Sequence, residues 1–126
     1  MATGILYLSI GAILGAVLRF LITHYSSELS HHHGFPFGTL LVNLSGCFLL
    51  GLLGQFTLNR MVISPDWRVA IAVGFFGGYT TFSSFGWETA KMLEDGEWLR
   101  ASAYVGASVV AGLLLSVAGI RLANQL

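Results

Sequence analysis

The sequence predicts an all-α membrane protein with four transmembrane helices per subunit, the third helix broken near its middle, assembled as an antiparallel, dual-topology homodimer. Three observations support this. The 126 residues are 55% hydrophobic and 10% charged, with a mean hydropathy of +0.76, whereas an average soluble domain carries roughly 25% charged residues. Four apolar stretches, residues 5–22, 39–58, 69–92 and 99–122, lie near the ~20 residues that a helix rising 1.5 Å per residue needs to cross about 30 Å of hydrocarbon. The six Lys and Arg residues are shared evenly between the two sides that such a chain would present. A soluble domain of this length buries only about two thirds of its unfolded surface and would leave large apolar patches in water, so the whole chain is expected to form one four-helix transmembrane domain.

The first stretch has no Lys or Arg ahead of it and no convincing small-residue cleavage site, so it reads as a retained helix and not a secretory signal. Gly11 and Gly15 here, and Gly74 and Gly78 in the third stretch, have the small-xxx-small spacing that lets helix backbones approach closely in lipid. Arg19 is the one ionisable residue of the first stretch; near its end, it is expected to snorkel to the interface. Glu88, on the same predicted side, is a candidate partner for it. The first loop, residues 26–37, contains Pro36 and the run His31, His32, His33, which reads as solvated loop because consecutive residues rarely fix a metal in three dimensions.

In the second stretch, the lone Cys47 allows no intrachain disulfide and reads as a small packing residue. Thr39 and Asn43 form a polar stripe at i, i+4, and Asn43 is either interhelical glue or a ligand contact. After the loop at residues 59–66, the third stretch carries Gly74-Phe75-Phe76-Gly77-Gly78-Tyr79-Thr80-Thr81-Phe82-Ser83-Ser84-Phe85. Glycine costs about 1 kcal/mol of helix propensity relative to Ala and threonine somewhat less, so a break is expected in this run. Carbonyls freed there need protein, water or an ion, because each orphan costs several kcal/mol in lipid. In an antiparallel dimer two such breaks would face one another and present paired carbonyls to a cation. An unbroken helix with closely packed glycines is the alternative. Phe82 and Phe85, three apart, share a helix face, as core bulk or as part of a path. Beyond the Glu94-Asp95-Gly96-Glu97 turn, Tyr104 and Ser108 form a further stripe on the fourth stretch, and polar stripes on three helices suggest a common aqueous or ionic path.

Four spans place Arg60, Arg68 and Arg121 on one side and Arg19, Lys91 and Arg100 on the other. Orientation follows the excess of Lys and Arg near the cytoplasmic ends of helices, so this tie leaves insertion undirected and predicts copies pointing both ways. Their natural assembly is a two-fold dimer with its axis in the membrane plane, like the inverted repeats of larger transporters.

The blocks from Gly11 to Phe20, from Gly38 to Asn43, and above all from Gly77 to Phe85 resemble the signature segments of the Fluc/CrcB fluoride channels, and the likeness runs through essentially the whole chain. That resemblance implies a multi-pass channel of the bacterial inner membrane that exports fluoride passively, as an antiparallel homodimer with two pores and a structural sodium ion at its centre. It implies that Gly77 and Thr80 give backbone carbonyls to the sodium and that Phe82 and Phe85 are pore phenylalanines. Asn43, Tyr104 and Ser108 become polar lining; Thr81, Ser83 and Ser84 become a hydroxyl track beside the rings. Glu88 matches the acidic residue that follows the motif, and Arg19, Thr39 and Glu88 stand as vestibule or structural residues. Ser84 stands where threonine is common, Gly86 replaces a frequent serine, and Gly112 occupies a place where some relatives have a hydroxyl. Two other classes compete. A coupled small-molecule exporter of the small multidrug type would require a carboxylate inside the first span, which has none. A poreless assembly subunit would be indifferent to changes at Phe82 and Asn43. An enzyme is not expected, since no nucleophile and base pair or metal-ligand cluster can be read.

Overall fold

The computed structural model of the chain describes residues 1–60 and 63–126 and is helical throughout its ordered elements. Helix α1 (Ala2–Tyr25) is followed by a short helix α2 (Ser27–His33) and by α3 (Phe37–Arg60). The third span begins with α4 (Pro65–Arg68), continues through π-helical turns over Val69–Phe75 and α5 (Phe76–Tyr79), and resumes as α6 (Phe82–Glu94). The fourth comprises α7 (Trp98–Gly106), π-helical turns over Ala107–Ala111 and α8 (Gly112–Ala123). Ala2–Tyr25, Phe37–Arg60, Pro65–Glu94 and Trp98–Ala123 are each long and apolar enough to cross a membrane. The protein is a multi-pass membrane protein. No more than 28% of any span's apolar window is buried within the chain, so most of the apolar surface requires lipid or another copy as its solvent.

The spans alternate in direction. At one end, Gly34 after α2 lies against the Arg100 guanidinium. At the other, Asn59 donates to Asn124 at 2.8 Å, Arg60 donates to the Leu126 carbonyl, and Tyr7 meets Trp67 edge to face at 5.1 Å. The apolar stretches lie inside longer helices, and the first loop, expected to be unstructured, folds as α2. Its three histidines fall in the last turn, where a helix favours positive charge. Of the second loop, Met61 and Val62 lie outside the described residues.

Packing between α1 and the third span is backbone on backbone. A Cβ on Gly11 would collide with the Ala70 carbonyl and one on Gly15 with the Phe75 carbonyl. A Cβ on Gly74 would stand 2.6 Å from the Leu8 carbonyl and one on Gly78 2.5 Å from that of Ala12. The four glycines read as association motifs therefore grip each other within one chain. Two further glycines, Gly51 and Gly119, bring α3 and α8 together in the same way, against the carbonyls of Ser116 and Phe48.

Candidate functional site

The third span is interrupted at Thr80 and Thr81, whose backbones are extended (φ −87°, ψ 159° and φ −150°, ψ 111°). Thr81 then caps α6: its hydroxyl accepts the Ser84 N–H at 3.2 Å and donates to the Ser84 hydroxyl at 3.0 Å, which satisfies one of the unpaired donors of a helix start. Ser83 lies 3.3 Å from the same hydroxyl. The methyl of Thr80 occupies space that only a glycine at position 46 leaves open.

Two polar side chains from other spans hold the interruption. Asn43 accepts the Thr81 N–H at 2.7 Å and donates to the Thr81 carbonyl at 3.0 Å, so one side-chain amide replaces the helix bonds lost by that peptide. Arg19 donates from Nη1 to the Thr80 carbonyl at 3.2 Å. A continuous helix would give the Thr81 N–H to the Gly77 carbonyl. Because Asn43 takes it instead, that carbonyl is released from its intrahelical donor. Gly77 is exposed, and a Cβ built on it meets nothing within 4 Å.

Glu88 forms a second polar centre, near the end of the same span. Thr39 donates to one of its carboxylate oxygens at 2.6 Å and Tyr104 to the other at 2.6 Å, lengths typical of charge-assisted O–H···O bonds. Thr39 is buried and Tyr104 has no exposed surface. The expected pairing of Arg19 with Glu88 does not form. Arg19 turns inward to the break instead of following the membrane surface, and the carboxylate is satisfied by hydroxyls. Among the described residues, the ion pairs are confined to Lys91 with Glu94 and Asp95 and Arg100 with Glu97.

Between α3, the break and the fourth span lies a cavity of about 640 Å³, lined by Asn43, Thr81, Phe82, Phe85 and Ser108 and reaching Gln55 and Ser116 towards the opposite membrane face. Among the described residues, none that lines it is charged. Phe82, 84% exposed, stands at its rim with its ring 5.6 Å from that of Phe85, which meets Tyr104 edge to face at 5.1 Å. The aromatic row thus connects the break to the Glu88 centre. The Ser108 hydroxyl is buried and has no hydrogen-bond partner, alone among the described side chains. Buried hydroxyls are almost always paired, so Ser108 retains hydrogen-bonding capacity for whatever occupies the cavity.

The structure brings Arg19, Asn43, Thr80, Thr81, Ser83 and Ser84 together at the break and Thr39, Glu88 and Tyr104 at the carboxylate, with Phe82, Phe85 and Ser108 along the cavity. Tyr104 meets Phe85 in a T-shaped contact while its hydroxyl donates to Glu88. Of the departures, Gly86 faces open space and Gly112 lies against the Cys47 sulfur. Reading along the sequence misses Gly46 and Gln55, and the hydroxyl bond between Ser45 and Tyr79 at 2.8 Å that steadies α5. The available signal for Gly46 was its position three residues after Asn43, on nearly the same face of α3.

A family model described as CrcB-like protein, Camphor Resistance (CrcB), matches residues 6–120. Curated relatives named "Fluoride-specific ion channel FluC" include one from Chlorobium phaeobacteroides (strain BS1), 41% identical over 120 residues, covering 95% of this chain and 92% of the relative. The namesake from Geobacter sulfurreducens is 43% identical over 124 residues, covering 98% and 99%. That from Rhizobium meliloti is 41% identical over 118 residues, covering 94% of each.

Proposed function

This chain belongs to the CrcB family, and from that premise we propose that it is a fluoride-selective channel that lets fluoride leave the cytoplasm passively across a bacterial inner membrane. The single observation that carries the reading is the uncharged cavity at the break, into which an unpaired Ser108 hydroxyl and two phenylalanine rings project. Fluoride is small and strongly hydrated, so a pore has to exchange its water for several modest contacts that also release it. Hydroxyl donors supply part of that shell, and ring edges, the positive rim of the aromatic quadrupole, supply the rest. A fixed cation in the lining would retain the ion, and among the described residues none lines the cavity.

In this reading Phe82 and Phe85 are the walls of the path, the Ser108, Ser83 and Ser84 hydroxyls are its donors, and the Thr81 hydroxyl completes the track by donating to Ser84. Asn43 braces the break from the path's edge. Thr39 and Tyr104 orient Glu88, and Arg19 fixes the Thr80 carbonyl. Two copies pair antiparallel, each contributing one path, so the assembly has two pores. Support comes from the even split of basic residues, from the exposure of Phe82, and from the bare face at Gly77. Residues tagged at both termini would be reachable from both sides of the membrane; a single orientation would contradict the pairing.

The resident sodium implied by the family fits the residues present. The Gly77 carbonyl is released by the break, the Thr80 carbonyl has a second lone pair beyond the Arg19 bond, and carbonyl oxygens suit a hard cation. When bound there it would add positive charge near both paths.

Replacing Phe82 by Ile tests the path. Phe82 is so exposed that the chain keeps its fold and thermal stability, while fluoride efflux from reconstituted vesicles falls at least about tenfold, the factor for roughly 1.4 kcal/mol of lost ring contact to the ion. Unchanged efflux would remove the rings from the path.

A further inference from the structure

Two cavities flank the Glu88 centre on the side of α2, and His31 and Glu88 line both. One, of about 380 Å³, lies between α2 and the end of α6 and also carries Trp87, Lys91, Asp95 and Glu97. The other, of about 190 Å³, is lined by the hydroxyl residues Thr23, Ser27, Ser30 and Thr39. The Ser27 and Ser30 hydroxyls make no side-chain hydrogen bond among the described residues, whereas Thr39 is committed to Glu88. Phe85 and Glu88, three apart on α6, lead from the large cavity at the break to this pair.

The charge here is unfavourable for an anion. Glu88, Asp95 and Glu97 face the larger cavity against Lys91, whose ammonium already pairs with Glu94 at 3.3 Å and Asp95 at 3.9 Å. Arg100, beside Gly34, is held by Glu97 at 2.8 Å. The linings contributed by α1 and α3 hold no ionisable group, and in α2 only His31 among Glu28, His31, His32 and His33 reaches either cavity. Among the described residues lining these two cavities, His31 is therefore the basic side chain that no carboxylate pairs, and an imidazole is the side chain suited to sensing physiological pH.

We propose that these cavities are the mouth of the anion path and that His31, with the free hydroxyls of Ser27 and Ser30, admits fluoride to it, faster when the imidazole is protonated. The proposal rests on the fluoride-channel reading and adds a residue that sets the rate of access. Protonation offsets the carboxylates, raising the local concentration of a small anion where it must be gathered. In an antiparallel pair each membrane face presents one such mouth.

The test is initial fluoride efflux from vesicles holding the full chain, at fluoride well below saturation, with pH 7.5 or 5.5 on both sides and the leak of protein-free vesicles subtracted. The wild-type rate rises about threefold on acidification, the Boltzmann factor for a unit charge near ~7 Å in water. His31→Gln loses the rise, His31→Lys is fast at both pH values, and His32→Gln behaves as wild type, since His32 lines neither cavity. A rise that survives in His31→Gln, or a wild type indifferent to pH, overturns the role of His31 while leaving the channel reading standing. No fluoride efflux at either pH overturns both.

Discussion

Replacing Asn43 by Ala destabilises the folded chain by about 2–6 kcal/mol, because two buried backbone groups lose their partners and each orphan costs about 1–3 kcal/mol. The Thr81 N–H and carbonyl both depend on this amide, at 2.7 and 3.0 Å, and the interior of a span offers little else to bond them. Without the brace, Thr81 can regain partners only by re-forming helix through the interruption. That returns its N–H to Gly77 and withdraws the cap from α6. Fluoride efflux therefore falls at least about tenfold together with thermal stability in detergent. The sequence left two readings of Asn43 open, and this experiment separates them. A side chain that only touched the ion would lose flux with stability intact, whereas the geometry has the two quantities fall together. Asn43→Asp is a sharper probe. It can still accept the Thr81 N–H, but it sets a carboxylate oxygen against the Thr81 carbonyl and adds negative charge at the edge of an anion path. Its loss of flux exceeds its loss of stability.

Replacing Gly15 by Val has the largest expected effect on the fold. The new Cβ alone collides with the Phe75 carbonyl, and that contact is backbone to backbone, so no side chain can swing away. Overpacking ordinarily costs about 1–3 kcal/mol and more where the backbone must move; here α1 has to leave the third span. The effect spreads, because the same seam holds Arg19 against the Thr80 carbonyl. Folded protein recovered from membranes drops severely, with Gly15→Ala intermediate. Gly106→Ala, with nothing within 4 Å of its new methyl, leaves yield and melting temperature unchanged. Normal yield of Gly15→Val would show that the first and third spans are not in contact as described.

The four spans were legible because hydrocarbon thickness sets a length and apolarity test that a string of residues meets or fails by itself. The break was legible for a similar reason: Gly77, Gly78, Thr80 and Thr81 are poor helix formers standing together. The glycine seam was visible as spacing, though not which helix each pair would meet. Arg19 was harder. Its place near the end of an apolar stretch suggests snorkelling, but its destination depends on a carbonyl 61 residues away, exposed only because another segment is broken. Asn43 presents the same difficulty, since its partner is backbone and leaves no mark in side-chain pattern. The π-helical turns at Val69–Phe75 and Ala107–Ala111 are set by how the spans meet and carry no composition of their own. The folding of α2 brought His31, which read as one of three equivalent loop histidines, to a cavity wall that His32 does not reach.

Purified chain in vesicles loaded with equal fluoride and chloride, with both anions followed by electrode after dilution and a potassium gradient shunted by valinomycin, addresses the proposed activity itself. The cavity at the break should empty the vesicles of fluoride while chloride stays inside, only when the shunt carries the compensating charge, and with no need of a proton gradient. Retained fluoride, equal loss of chloride, or fluoride loss that proceeds without the shunt would contradict it.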